Sequence, residues 1–212
     1  MYTRRRVATG ALAALTLGGG CLDFVTGEEA LTFEAEPART DEETASDAGY
    51  ELEEEESQTV EREFSAAGQT RTVEATNEIA TYEKTMRIPV VGEAKLGVFA
   101  VISSPAVEVA GKTFNPIGDY DHDELVEMLT SNYEGLSDPE KVDERSATVL
   151  GSDETVSKYE ATATFEGQEV DVFVHVAKAR DDDFVVPLGV YPRDADEEEN
   201  VVSMMEAIEH PA

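Results

Sequence analysis

Tryptophan is absent from this chain, cysteine occurs once, and lysine only six times. A single thiol excludes an internal disulfide, so the folded state rests on its core alone. No stretch reaches the ~18 consecutive apolar residues of a transmembrane helix. No internal repeat is visible, which argues against a solenoid or propeller. The three histidines, His122, His175 and His210, lie far apart, without the paired spacing usual in histidine-based metal sites. No nucleophile-elbow sequence exists, and the sole thiol lies in the leader, so no motif points to a nucleophile beside a base. From these absences the expectation is a chain without catalytic residues, cofactor or metal.

What is abundant is acid. The chain carries 47 Asp and Glu against 16 Lys and Arg, a formal net charge of −31. The first twenty residues hold three arginines and no acid, so the remainder stands at about −34. Charge of that size opposes compaction by self-repulsion. In molar salt the Debye length shrinks to roughly 3 Å and the repulsion is screened. Acidity can also mark disorder, but the chain is 41% hydrophobic and its apolar residues are periodic. The composition therefore implies a folded protein adapted to concentrated salt. No basic patch is present, which excludes nucleic acid as a natural partner.

The one cysteine has an informative position. The chain begins MYTRRRVATGALAALTLGGGC. Arginines come first, then a modestly apolar stretch from Val7 to Leu17, then three glycines, then Cys21. This is the layout of a secretory signal. The Arg4-Arg5-Arg6 run resembles a twin-arginine export signal, with Arg4 and Arg5 as its pair. Gly19-Gly20-Cys21 resembles the lipobox of prokaryotic lipoproteins. That resemblance implies cleavage before Cys21 and lipid attachment to its thiol. Acyl chains contribute about 0.8 kcal/mol per buried methylene, and two chains anchor stably where one does not. The expected organisation is a signal peptide over 1–20, a lipidated cysteine and tether over 21–29, and one acidic domain over 30–212. The tether from Leu22 to Glu29 extends at most about 28 Å.

Periodicity in the remaining chain predicts an α+β fold, mainly antiparallel sheet with a few helices packed on it. Leu31–Ala35 reads as a strand. Thr40-Asp41-Glu42-Glu43 has capping-box spacing with Thr40 as cap, and Gly49 closes the short helix. The run Glu51–Glu56 reads as a solvated loop, with cation binding as the alternative. Ser57–Phe64 and Thr70–Lys84 alternate as strands around a turn at 66–69. Lys95–Ser103 is apolar on both faces, the signature of a covered central strand. Asp121-His122-Asp123-Glu124 opens a helix with Leu125, Val126, Met128 and Leu129 as its apolar stripe. Strands at Arg145–Leu150, Thr155–Phe165, Glu169–Lys178 and Phe184–Val190 follow. Asp194 or Asp196 is the expected cap of a last helix bearing Val201, Val202, Met204, Met205 and Ile208.

Three local patterns invite a chemical reading and fail on spacing. Gly111-Lys112-Thr113 lacks the glycine a phosphate loop needs at position 106, which is Ala106. Asp119, Asp121 and Asp123 have the first three spacings of a calcium loop, but Glu124 and Thr130 occupy the places of its Gly and bidentate Glu. His175 shares a strand face with Asp171 and Phe173 and reads as a hydrogen-bonded structural histidine.

In the order of its elements from Thr70 onward the chain resembles the PsbP-type sandwich. As a whole it resembles the acidic lipoproteins of halophilic archaea, carried by Gly111-Lys112-Thr113-Phe114-Asn115-Pro116, Val149-Leu150-Gly151 and Glu209-His210-Pro211. The resemblance implies a domain of unknown function, lipid-anchored on the extracytoplasmic face of the cell membrane. The expected role is non-enzymatic, the binding or support of another envelope component. A small-molecule-binding transport accessory is the alternative, and a carboxylate-based hydrolase the third.

The charge has a measurable consequence. The melting temperature of the full chain should rise between low and molar NaCl, because screening relieves repulsion that is stronger in the compact state. A melting temperature flat across that range would contradict the reading.

Overall fold

The computed structural model describes residues 30–212 except 67–68, 89–91, 110–111, 114, 133–134 and 166. Residues Arg4, Arg5 and Cys21 lie outside that set, as do the tether and the turn at 67–68. Among the described residues the fold is mainly antiparallel sheet, 62% strand with four short helices in one domain. It is thus more sheet-dominated than α+β implies.

The strands are β1 (Leu31–Glu34), β2 (Arg39–Thr40), β3 (Glu51–Ala66), β4 (Gln69–Ile88), β5 (Gly92–Ser104), β6 (Glu108–Val109), β7 (Lys112–Thr113), β8 (Leu136–Val149), β9 (Ser152–Phe165), β10 (Gln168–Val176), β11 (Ala179–Arg180), β12 (Phe184–Pro192) and β13 (Ile208–Glu209). The helices are α1 (Glu42–Asp47), α2 (Pro116–Asp119), α3 (His122–Asn132) and α4 (Glu198–Glu206). Nine strands form the main sheet, with β4, β5, β12, β10, β9 and β8 side by side. Strand β4 has β3 along one edge. Its other edge is shared: β1 lies parallel to Val73–Thr76, and β5 lies antiparallel from Glu78 onward.

Strand alternation divides the sheet into two faces. One carries Ala100, Leu188, Val174 and Tyr159, and α3 packs on it. His122 Nδ1 lies 2.7 Å from Ser157 Oγ, and the Tyr159 hydroxyl donates to Asp123 at 2.5 Å. The opposite face carries Phe99, Val101, His175 and Tyr191, and α1 and α4 pack there. Lys158 reaches Glu198 of α4 at 2.5 Å, and Lys84 bonds Glu197 and the Ala48 carbonyl, both at 2.7 Å. Gly189 lets α4 come close, since a Cβ there would stand 2.4 Å from Val201 Cγ1. The expectation for β5 holds: Phe99 and Val101 are fully buried on one face, and Ala100 is buried on the other. Met204 and Met205 are core residues, both fully buried.

The local signals also hold in part. Asp121 and Glu124 form a reciprocal capping box, each side chain accepting the other's backbone N–H at 2.9 Å. Leu150 and Gly151 both have positive φ, 49° and 76°, which gives the two-residue turn between β8 and β9 a primed form suited to strand twist.

Four expectations are corrected. The acidic run Glu51–Glu56 is a strand, not a loop: it pairs with β4 along one edge while its side chains stay in solvent. The cap of α1 is Asp41, whose Oδ1 accepts from Thr44 N at 2.9 Å, because the Thr40 hydroxyl is committed to the Met204 carbonyl at 3.0 Å. Neither Asp194 nor Asp196 caps α4. The cap position falls to Glu197, whose carboxylate makes no capping bond and instead takes Lys84 and the Asn200 amide. Strand β8 starts at Leu136, not Arg145. Its first half is exposed and polar, with Asp138 at φ 54° and register shifts around 138–142, so it lacks the apolar alternation that marks a strand.

Candidate functional site

Strand β4 outruns β5. Beyond Glu78 the β3–β4 pair continues with only the four residues of β1 beside it. On the α3 face this projection stands opposite the segment that leads from Val107 through α2 into α3. Between the two lies an open groove of about 830 Å³. Its volume is within the range of small-molecule sites, roughly 300–1,000 Å³.

The groove has three chemical zones. Its lining is mostly apolar, from Val73, Ala75 and Ile79 of β4, Ile102 of β5, Ile117 of α2 and Leu129 of α3. One rim is β3, where Glu56, Gln58 and Val60 stand opposite Ile79, Asn77 and Ala75 on the groove face. A polar node joins the sheet to the opposite wall. Ser104 Oγ donates to Asn77 Oδ1 at 2.6 Å and accepts from Asn115 Nδ2 at 2.9 Å. Asn115 Nδ2 also donates to the Pro105 carbonyl at 2.6 Å, and its Oδ1 accepts from Ile117 N at 3.0 Å. Asn115 is only 5% exposed, so this node is structural framing with its edge at the groove. Lys178 holds the same wall from behind. Its Nζ donates to the carbonyls of Ile117, Gly118 and Tyr120 at 3.4, 3.2 and 2.5 Å, a cation at the end of a short helix.

The residues singled out from sequence are scattered rather than gathered here. Asp121 caps α3, and Asp123 accepts the Tyr159 hydroxyl. Lys112 and Thr113 form β7, a short hairpin with β6, while Gly111 lies outside the described residues. The His210 side chain is 1% exposed and sits between Asp181 and Asp183, with Nε2 3.3 Å from Asp183 Oδ2. No cluster of three metal-ligating side chains occurs among the described residues, and no helix among them is long and apolar enough to cross a membrane.

His175 is the most perturbed of these groups. It is fully buried, stacks on Tyr191 at 5.5 Å between ring centroids, and shares a hydrogen bond between Nε2 and the Tyr191 hydroxyl at 2.9 Å. Burial holds its pKa down at about 4, against a weaker upward pull from Glu198. The same burial raises the Tyr191 hydroxyl. His122 is also lowered, first by burial and then by Lys141 and Lys178. None of these groups lines the groove between β4 and the α2 segment.

The family match decides how much of this is one unit. Its extent, residues 37–209, takes in both walls of the groove and the whole β3–β12 sheet. The chain belongs to DUF6517, a domain of unknown function. Cys21, Arg4 and Arg5 precede the DUF6517 region, as does β1. No curated protein matches the chain.

The buried histidine gives a pH test of the fold. The folded-state pKa of His175 is below its unfolded value near 6.5, so proton uptake favours the unfolded chain. The cost is absent above about pH 6.5 and grows as pH falls to about 4, reaching no more than ~3 kcal/mol. The His175→Phe variant should be less stable at pH 8 by about 1 kcal/mol through loss of the Tyr191 bond. It should lose less stability than the parent between pH 6.5 and 4 in denaturant titrations. Parallel pH profiles would refute the assignment.

Proposed function

We propose that this DUF6517 protein is a non-enzymatic binding module, held on the extracytoplasmic face of the cell membrane by lipid on Cys21, and that it binds a small molecule in the β3–β4 groove. The groove carries this reading. An apolar channel of small-molecule size with a few polar groups at its edges is the usual form of a ligand site. Of the three roles considered from sequence, it favours the small-molecule-binding accessory over the support of a protein partner. A protein-docking face would present a flat exposed apolar patch. Of the large exposed apolar side chains among the described residues, Leu52 and Val142 lie on the edge strands β3 and β8 among charges, and Val60 lines the groove itself.

A hydrolase reading has less support. Glu56, opposite Ile79, is the β3 carboxylate on the groove face, and it is exposed on an edge strand. A general acid of that kind needs a desolvated carboxyl to raise its pKa. The anchor reading rests on the leader: small residues before the sole cysteine, at the end of a signal-like segment.

Two measurements test the proposal. Protein isolated from its native membrane should carry a small molecule detectable by mass spectrometry after extraction, and Ala75→Trp, which fills the groove, should remove it. An Ala75→Trp variant that still carries the same molecule would rule out the groove. Separately, Cys21→Ser should move the protein from the membrane pellet to the soluble fraction in high salt. Retention in the pellet would refute the lipid anchor.

A further inference from the structure

The groove leaves apolar surface in water. Val73, Ile79, Ile117 and Leu129 are buried, but Ala75 and Ile102 keep part of their surface, and Val60 at the lip is 38% exposed. Water over such a floor is displaced most favourably by an apolar occupant. The polar node gives little hold to a ligand rich in hydrogen-bonding groups, because it is committed to itself. Ser104 Oγ is both donor and acceptor within it, and Asn115 spends Oδ1 on Ile117 N and Nδ2 on Ser104 and the Pro105 carbonyl. Shape narrows the choice further. Val73, Ala75 and Ile79 share one face of β4, a row about 20 Å long at ~3.3 Å per residue. Val60 stands beside Ala75, and Leu31 and Phe33 of β1 stand in register with Val73 and Ala75 on the same face. Tyr120 is the one ring among the described lining residues, so a flat aromatic ligand would find little to stack on.

We infer that the groove takes the hydrocarbon chain of a membrane lipid, laid along β4 between Ile79 and Val73, with the lipid head left outside over the β3 rim. This rests on the groove being the binding site, as proposed above. The length fits. One leaflet of a bilayer holds about 15 Å of hydrocarbon, half of the ~30 Å core, which the row on β4 can accommodate. A chain is also the shape that covers a row on one strand from end to end, whereas a compact molecule would cover part of it and leave the rest wet. The affinity is then non-directional and grows with each methylene buried. The supply is close by. Leu31 stands ten residues after Cys21, at most about 36 Å of extended chain, so an anchor at Cys21 keeps the β1 end of the row within reach of the bilayer.

The full chain carrying Cys21→Ser can be titrated by calorimetry in molar NaCl. The probes are hexyl, octyl and decyl maltoside and naphthyl glucoside, each below its micelle concentration. All four heads are uncharged sugars, so the apolar part decides the outcome. The maltosides should bind at one saturable site, tightening about two- to fourfold per methylene through decyl, the upper figure for full burial. Naphthyl glucoside should bind more weakly than decyl maltoside. Ala75→Trp should abolish maltoside binding, and Val60→Trp, at the exposed lip, replaces it should Ala75→Trp fail to fold. In protein isolated from its native membrane, the molecule that Ala75→Trp removes should be a long-chain lipid, extractable and therefore not the acyl group on Cys21. Decyl maltoside binding no tighter than hexyl, naphthyl glucoside binding more tightly than decyl maltoside, or removal of a molecule without a long chain would overturn the inference. In each of these cases, dependence on Ala75 would leave the groove itself standing. If no probe binds, or neither Trp variant changes the binding of any probe, the groove and the chain selection fall together.

Discussion

The length mismatch between β4 and β5 governs the rest of the molecule. A strand of β4's length cannot be matched along both edges by single partners here. Its inner edge passes from β1 to β5, while β3 follows its outer edge through both regions. Where β5 pairs, the sheet is wide enough to bury residues on both faces and to seat helices on each. Where only β1 pairs, the sheet narrows to a ribbon, and α3 does not extend over it. The groove is the space left by that difference. Its apolar lining continues the core's inward-facing rows past the point where the helix stops covering them.

Charge has a divided role in this arrangement. Among the described residues no strand pairs with the outer edge of β3, which would invite pairing with another chain. Glutamates crowd that edge and hold other strands off. Their own repulsion is moderated at a few points, where Lys95 bridges Glu53 and Glu83 and Arg39 meets Glu55. Several of the described cations thus sit on seams: Lys95 between glutamates of β3 and β4, Lys84, Lys158 and Arg145 between α4 and the sheet, and Lys178 behind α2. Each exposed pair contributes little, about 0–1 kcal/mol. The excess acid is left facing solvent.

Much of the sheet was legible because its signals are local. The two-faced apolar pattern of Lys95–Ser103 marked β5, and the Asp121–Glu124 box marked the start of α3 with its reciprocal bonds. Where the signal failed, the deciding interaction was distant in sequence. Glu51–Glu56 has neither alternation nor apolar residues enough to read as a strand, yet β4 supplies its hydrogen bonds from beyond the turn. Asp194 and Asp196 look like caps, but the Lys84–Glu197 pair on another element sets where α4 begins. The groove was not legible at all. Val73, Ala75, Ile79 and Ile102 read as ordinary inward-facing strand residues, and nothing local says that the helix above them stops short. Asn77, Ser104 and Asn115 gave no motif, since their relation exists only once β4, β5 and the α2 segment meet.

The parallel β1–β4 contact has a mechanical consequence. A pull applied ahead of Leu31 along the strand axis loads the β1–β4 hydrogen bonds together, in shear, rather than opening them one at a time. Behind β1, the chain is clasped again. β2 pairs with β13 through Thr40 and Ile208, and the Ala212 N–H donates to the Pro37 carbonyl at 2.9 Å. The last residues of the chain therefore act as a strain relief, keeping tension at the entry from reaching α1 and the core beneath it.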